Sequence, residues 1–218
     1  ELLDIENKLV APRQNEYGRA DQGAAWALLT RLYMNAEVYL GAGNAKYTEA
    51  ITYAQKVIGA GYALVNDYQK LFLADNDKNN AETILSIYYD GVSTQNFGGT
   101  TFIVNSSVNG AMNPTSFGIP NGGWGGNRSR ATLAGAFDDA TGNSYKRAMF
   151  YGNNPKIEDI SVFTEGLAVG KFKNILSDGS TANSNDGTQV STDFPLFRLA
   201  DIYLLYAEAV LRGGNGGS

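Results

Sequence analysis

The chain has 218 residues, 43% of them hydrophobic, so it can bury a substantial core as one domain or as part of a larger one. Its net charge of -5 is spread without a basic run, which argues against nucleic acid as a partner. Cysteine and histidine are absent, which excludes disulfides, thiolate or Ser-His-Asp catalysis and cysteine or imidazole metal sites. No apolar run approaches the about 18 residues that a membrane-spanning helix needs.

Two amphipathic helices are predicted near the start of the chain. Apolar residues recur with helical spacing over Asp21–Tyr39, and a second such face runs over Tyr47–Ile58. Glycines follow both segments, as they do at many helix ends. Two helices joined by a short glycine turn should pack antiparallel as a helical hairpin.

A candidate calcium site follows the second helix. Asp75, Asp77 and Asn79 have the spacing of the first three oxygen ligands of a calcium loop. The pattern then fails, because Asn80 replaces the expected glycine and Ser86 stands where a bidentate glutamate is required. The segment is therefore not an EF-hand, and the alternative to calcium binding is a solvated turn rich in Asn and Asp.

The middle of the chain differs from its ends. Residues 85–195 are rich in Gly, Asn, Ser and Thr, with short β-type runs at Ile84–Tyr89 and Thr100–Val104. Long irregular segments in a compact protein are usually functional. A helical scaffold that carries an elaborate loop region is the arrangement expected of a binding protein.

Trp124 is the most informative residue of this middle region. It lies among four glycines and is followed by Asn127 and Arg128. Its ring is either buried in a distant core or held out to a ligand such as a sugar, whose C–H face stacks on aromatic rings. Asn127 and Arg128 could bond sugar hydroxyls. The alternatives are a local turn for Asn127 and an ion pair for Arg128.

Two acidic pairs keep an enzyme among the alternatives. Carboxylates can cleave a glycan without histidine, and Asp138–Asp139 and Glu158–Asp159 are the available pairs. Adjacent residues point in different directions, however, so both pairs are better interpreted as solvated surface. A protein-interaction scaffold without glycan binding is the other alternative.

A third helix is predicted over Leu199–Arg212. When it is aligned on the first helix, Ala207-Glu208 superposes on Ala36-Glu37, and Leu199 superposes on Leu28. This similarity favours degenerate tetratricopeptide units, which bury their apolar faces by stacking on neighbours. The chain has neither an initiator Met nor a signal-peptide pattern, so we expect an interior piece of a longer protein whose third helix lacks its partner.

A series of motifs extends over nearly the whole chain. The first is Gly18-Arg-Ala-Asp21, which leads into Gly23-Ala-Ala-Trp-Ala-Leu-Leu and Asn35-Ala-Glu37. The others are Ala54-Gln-Lys-Val-Ile58, Leu71-Phe72, Asp75-Asn76, Glu82, Phe97-Gly-Gly-Thr-Thr-Phe102, Gly123-Trp124-Gly125-Gly126 and Pro195-Leu-Phe-Arg198 with Ala207-Glu208-Ala209. In this order the motifs resemble the SusD/RagB family of outer-membrane nutrient-binding lipoproteins, and the Phe-Gly-Gly-Thr-Thr-Phe and Gly-Trp-Gly-Gly elements are most similar to its starch-binding branch.

The resemblance implies a function and a location. Family members are lipid-anchored through an N-terminal Cys on the surface of Bacteroidetes, where they bind glycans or peptides without cleaving them. They deliver these nutrients to a TonB-dependent, SusC-like outer-membrane transporter. We therefore expect a non-catalytic protein that binds a starch-like α-glucan, with no required cofactor and with an anchor outside this chain.

The resemblance also implies a site and a domain organisation. In the starch-binding branch an arc of aromatic side chains follows the glucan, so Trp124 and Phe97 are the expected ring contacts, with Asn96 beside them. Some members bind calcium near the segment that contains Asp75 and Asp77. The expected fold is mostly α: a tetratricopeptide-like helical segment (1–84), a loop-rich ligand-binding lobe with short β-strands (85–195) and the start of a further helix (196–218), all parts of one SusD-like domain.

Overall fold

The computed structural model describes residues 1–78, 80–109, 112–137 and 147–216. The chain forms two compact units. The first comprises Glu1–Val65, Asn80–Ile87 and Pro195–Ser218, and the second comprises Asn66–Asn79 and Tyr88–Phe194. The sequence grouped Asn66–Asn79 with the helical part of the chain, whereas its contacts are with the second unit.

Helices are the main regular elements of the first unit. They are α1 (Leu2–Ile5), α2 (Gln22–Met34), α3 (Ala36–Leu40), α4 (Tyr47–Ile58) and α7 (Leu199–Leu211), with a 3-10 turn at Glu6–Lys8. The carboxylate of Asp21 caps α2 by accepting the backbone N–H of Ala24 at 3.0 Å. The predicted first helix is broken, because the side chain of Asn35 donates to the carbonyl of Arg31 where α2 ends and α3 begins.

Small residues let three helices of this unit approach closely. Helix α4 packs against both α2 and α7. The shared core consists of Ala24, Ala27, Ala54, Val57, Tyr62, Ile84, Phe197, Leu199 and Ile202, with Met34, Ala50, Ile51 and Ala209 beside it. Helix α7 thus packs on α4, and the expectation that a further helix outside this chain pairs with α7 stays a prediction. Tyr203 and Val210, whose helical spacing in the sequence predicts an inward-facing position, are exposed, because Leu199, Ile202 and Ala209 form the contact instead.

A short sheet and buried charges complete the first unit. Strand β1 (Thr83–Ile87) pairs with β5 (Phe194–Arg198). Buried Glu82 accepts a hydrogen bond from Arg198 Nη1 at 2.6 Å and one from the backbone N–H of Val65 at 2.9 Å. A buried carboxylate needs such partners to remain ionised without a large desolvation cost.

The second unit contains helix α5 (Gly99–Ser107), helix α6 (Ala131–Ala134) and a three-stranded antiparallel sheet. Its strands are β2 (Arg128–Ser129), β3 (Phe150–Tyr151) and β4 (Leu167–Val169), with β4 in the centre. Two 3-10 helices, at Tyr68–Phe72 and Pro114–Phe117, also belong to this unit.

The prediction of a strand at Thr100–Val104 was wrong, because this run lies inside α5. Its β-branched residues Thr100, Thr101 and Val104 are buried, and packing of this kind overrides local propensity. Polar side chains at the end of the helix bond its own carbonyls: Asn105 Nδ2 donates to Thr101, and Ser107 Oγ donates to Ile103. Across the described ranges, no helix is both long and apolar enough to span a bilayer.

Candidate functional site

Three aromatic rings of the second unit form an exposed cluster. The indole of Trp124 is 6.0 Å from the ring of Phe97 and 6.2 Å from that of Phe102, with tilted planes. Exposed fractions are 37% for Trp124, 67% for Phe97 and 48% for Phe102. Large apolar side chains that remain accessible as a group usually mark a surface that binds something.

The glycine-rich segment holds Trp124 by capping the end of α5. The backbone N–H of Trp124 donates to the carbonyl of Asn105 at 2.8 Å, and that of Gly125 donates to Val108 at 3.0 Å. Asn127 adds a third such bond, to the carbonyl of Ser106 at 3.0 Å. The last carbonyls of a helix have no partner within the helix, so this segment satisfies them while the indole projects from it. The backbone that carries the indole is therefore fixed to the end of α5.

Phe102 is a ring that the sequence did not single out. It lies within the quoted Phe-Gly-Gly-Thr-Thr-Phe motif, but the predicted strand gave no reason to place it beside Trp124. With the segment helical from Gly99, Phe102 stands on the face of α5 that turns towards the indole. A helical period across the motif was the signal that could have identified it.

Asn96 and Asn127 both form hydrogen bonds within the second unit. The side-chain oxygen of Asn96 accepts the backbone N–H of Gly98 at 2.8 Å, which shapes the turn before α5. The side-chain amide of Asn127 does not form the local turn that was the alternative to ligand binding; it donates to Ser106 Oγ, at the end of α5, at 2.6 Å. Contact of either residue with a ligand stays a prediction.

Within the described part of the chain, Arg128 forms no ion pair, and its guanidinium instead donates to backbone carbonyls of the segment 160–165. Nη1 donates to Val162 at 2.7 Å and to Glu165 at 2.9 Å, and Nη2 donates to Ile160 at 2.9 Å. The guanidinium also lies over the ring of Phe163, 5.4 Å from its centroid. Its Nε is buried without a partner. The side chain therefore organises a loop, and a ligand contact by Arg128 stays a prediction.

The predicted calcium ligands Asp75 and Asp77 have different surroundings. The carboxylate of Asp75 accepts the hydroxyl of Ser177 at 2.5 Å and its backbone N–H at 3.1 Å, while Asp77 is exposed. Asn79, the third position of the pattern, lies outside the described residues. Within the residues that the structure describes, no group of three or more acidic side chains is arranged to hold a metal ion.

One acidic pair of the enzyme alternative can be located. In the segment before β4, the backbone N–H groups of Glu158 and Asp159 both donate to the carboxylate of Glu165, at 2.7 and 2.9 Å. Hydrogen bonds from the hydroxyl and the backbone of Ser161 hold the pKa of Asp159 below its ordinary value. A glycosidase acid needs the opposite shift. Asp138–Asp139 lies outside the described residues.

The same unit contains a cavity of about 600 Å³. Its lining combines amides and hydroxyls, among them Asn109, Asn113 and Ser116, with the apolar or aromatic side chains of Met112, Phe117 and Tyr151. Among the described residues that line it there is no carboxylate or cationic side chain. Such a lining suits neutral polar ligands and offers no acid–base pair for hydrolysis.

Comparisons with known proteins give the same family throughout. Residues 140–217 match the SusD family. Starch-binding protein SusD of Bacteroides thetaiotaomicron is 38% identical over 267 aligned residues, which cover 99% of this chain and 46% of that protein. The chain therefore spans about half the length of this relative. This similarity covers nearly the whole chain, including the part before the segment 140–217 that the family matches.

Solved structures share the fold. A SusD superfamily protein from Parabacteroides distasonis superposes with a TM-score of 0.68 at 20% identity, covering 96% of this chain and 44% of that one. Surface glycan-binding protein A from Bacteroides thetaiotaomicron, in complex with laminarihexaose, gives a TM-score of 0.67 at 18% identity, covering 99% of this chain and 49% of that one. The helical scaffold and the loop-rich unit thus follow the SusD architecture.

Proposed function

The chain belongs to the SusD family, and we propose that it is a non-catalytic glycan-binding protein whose ligand is a starch-like α-glucan. One observation carries the proposal: Phe97, Phe102 and Trp124 form an accessible ring cluster on a scaffold that is fixed by the end of α5. Sugar rings present C–H faces that stack on such rings. The choice of an α-glucan rests on the 38% identity to a starch-binding relative.

The arrangement of the rings favours binding over cleavage. A glycosidase requires two carboxyl groups on either side of the scissile bond, one of them with a raised pKa. The described acidic pair near the site, Glu158 and Asp159, is instead engaged in turn contacts, and the pKa of Asp159 is lowered. A ring cluster beside which the described residues offer no acid–base pair suits capture of a polymer that is released intact.

Capture at a cell surface is the role that fits this chemistry. We propose that the protein acts on the extracellular face of an outer membrane, held there by an N-terminal lipid outside this chain. It passes the glycan to a TonB-dependent, SusC-like transporter. The packed helices α2, α4 and α7 act as tetratricopeptide-like units. A structural calcium at Asp75 and Asp77 would need further oxygen ligands, and a calcium-dependent rise in Tm would support it.

Affinity electrophoresis on amylopectin tests the proposal. The parent chain should be retarded, and Trp124→Ala should migrate faster while its circular dichroism spectrum and Tm are unchanged. Tyr39→Ala is the matched control, since Tyr39 is an exposed aromatic residue of the first unit. Unretarded migration of the folded parent on a panel of glucans would overturn glycan binding. Sustained release of reducing ends from amylose would favour the enzyme alternative.

A further inference from the structure

An apolar loop lies next to the glycine-rich segment that carries Trp124. Within residues 160–165, Ile160 is 80% exposed and Phe163 is 49% exposed, and Val162 is also accessible. The family resemblance gave no role to this loop, and the sequence drew attention only to the acidic pair before it. Three accessible apolar side chains within four residues form an unusual surface for a loop, and such a surface usually has an occupant.

The conformation of the loop is imposed from inside. The guanidinium of Arg128 bonds the carbonyls of Ile160, Val162 and Glu165, which turns these carbonyls inwards and leaves the side chains of Ile160 and Val162 accessible. A charged donor that satisfies three carbonyls is a strong restraint on a backbone. The side-chain amide of Asn109 adds a bond to the carbonyl of Phe163 at 3.0 Å.

The loop also contacts the Trp124 segment directly. A Cβ added to Gly125 would lie 3.1 Å from the ring of Phe163, and Gly125 has a φ of +67°, which disfavours any side chain. Glycine at this position therefore allows the ring of Phe163 to pack on the backbone of the residue that follows Trp124. The accessible ring of Phe163 and the ring cluster around Trp124 therefore belong to one continuous part of the second unit.

We infer that Phe163 is a further aromatic contact for a sugar chain that continues past the cluster of Phe97, Phe102 and Trp124, and that Arg128 is a positioning residue for it. The inference rests on the proposed function and deepens it. A glycan is the ligand to which the observations lead, because the loop is continuous with the ring cluster and the neighbouring cavity combines uncharged amides and hydroxyls with aromatic rings, the two kinds of group that contact a sugar. Ile160 and Val162 extend the same apolar surface.

The length of the glucan distinguishes the contact with Phe163 from the contact with the ring cluster. A trisaccharide can be held by the cluster alone, whereas a longer glucan reaches the loop. Isothermal titration calorimetry with maltotriose and maltoheptaose therefore separates the two. In Phe163→Ala we expect the Kd for maltoheptaose to rise about three- to tenfold, the range of one aromatic contact, with maltotriose binding within about twofold of the parent.

Three variants make the result interpretable. Phe163→Trp should restore binding of maltoheptaose, because it returns a stacking ring, which a purely structural role would not require. Arg128→Lys should reproduce the length-dependent loss, since one ammonium group cannot bridge three carbonyls. Trp124→Ala should weaken both ligands.

The possible results distinguish failure of the Phe163 contact from failure of the proposed function. Unchanged binding of maltoheptaose in Phe163→Ala, with Trp124→Ala defective, would overturn the role of Phe163 and leave the proposed function standing. Equal losses for both ligands would also overturn it, because the contact would then be central. Failure of the folded parent to bind either ligand would count against both proposals.

Discussion

Gly123 packs directly against the carbonyl oxygen of Val108, and a Cβ added to Gly123 would lie 2.1 Å from that oxygen. The contact lies where the glycine-rich segment crosses the end of α5, next to the hydrogen bond that fixes the backbone of Trp124. No side chain fits there, because the obstructing atom belongs to the backbone of the helix end. This close approach connects the sequence signature to the position of the indole.

Gly123→Ala should therefore damage both stability and binding. Relief of the clash must move the segment away from α5, and we expect a loss of about 1–3 kcal/mol in the free energy of unfolding. Glucan affinity should fall with it, because the indole moves with the segment. Urea denaturation and affinity electrophoresis measure the two effects. Gly59→Ala is the matched control, since its added Cβ makes only ordinary contacts. A parent-like Gly123→Ala would contradict the role of this contact.

Phe102→Ala tests the ring that sequence analysis did not single out. Removal of one of three neighbouring rings should raise the Kd for a malto-oligosaccharide about three- to tenfold, the range expected for one aromatic contact. Its Tm should change little, because the ring is half-exposed and packs mainly on Trp124. Calorimetric titration gives both the affinity and the stoichiometry. Affinity equal to that of the parent would restrict the site to Phe97 and Trp124.

The helical part of the fold was readable from periodicity, whereas the surroundings of the rings were not. Apolar spacing located α2, α4 and α7 because each buries one face within the first unit. The run Thr100–Val104 was misassigned as a strand, since β-branched residues fit any well-packed surface and burial rather than propensity decided its state.

The site residues likewise fall into those that the sequence could identify and those that it could not. Trp124 stood out by its glycine neighbours, and Phe97 followed from the family motif. The hydrogen bonds of Arg128 could not be anticipated, because its partners are carbonyls more than thirty residues later and backbone groups leave no compositional trace. Phe102 required the correct helical period before its neighbour could be identified.

The buried ion pair of Glu82 and Arg198 should dominate the charge contribution to the stability of the first unit. Glu82→Ala would remove the carboxylate that pairs with the guanidinium of Arg198 and that accepts the backbone N–H of Val65. We expect a loss of about 3–5 kcal/mol in the free energy of unfolding. The double variant with Arg198→Ala should lose less than the sum of the single losses. Glu208→Ala, which breaks an exposed pair with Arg212, should cost at most about 1 kcal/mol.

Additive losses in that cycle would contradict direct coupling across the 2.6 Å contact. A loss in Glu82→Ala as small as that in Glu208→Ala would show that solvent reaches the carboxylate. Denaturant titrations with unchanged m-values keep the comparison on the folded state.

Buried Glu6 should make the stability of the first unit depend on pH. Its carboxylate accepts hydrogen bonds from three side chains: Trp26 Nε1 at 2.7 Å, Tyr53 hydroxyl at 3.0 Å and Lys56 Nζ at 3.0 Å. Burial alone would raise the pKa of Glu6, but these bonds outweigh it and hold the pKa below 4.5. A carboxyl group with a lowered folded-state pKa adds stability above its unfolded pKa, and this is lost as pH falls through the folded value.

Glu6→Gln should therefore be less stable than the parent by about 1.5–3 kcal/mol at pH 7, and the difference should shrink below pH about 4. Denaturant midpoints from pH 7 to 3 measure this, with Glu49→Gln as control, since Glu49 is a partly exposed carboxylate paired with Lys46. A pH-independent difference would show that the carboxylate of Glu6 is not preferentially ionised in the folded state.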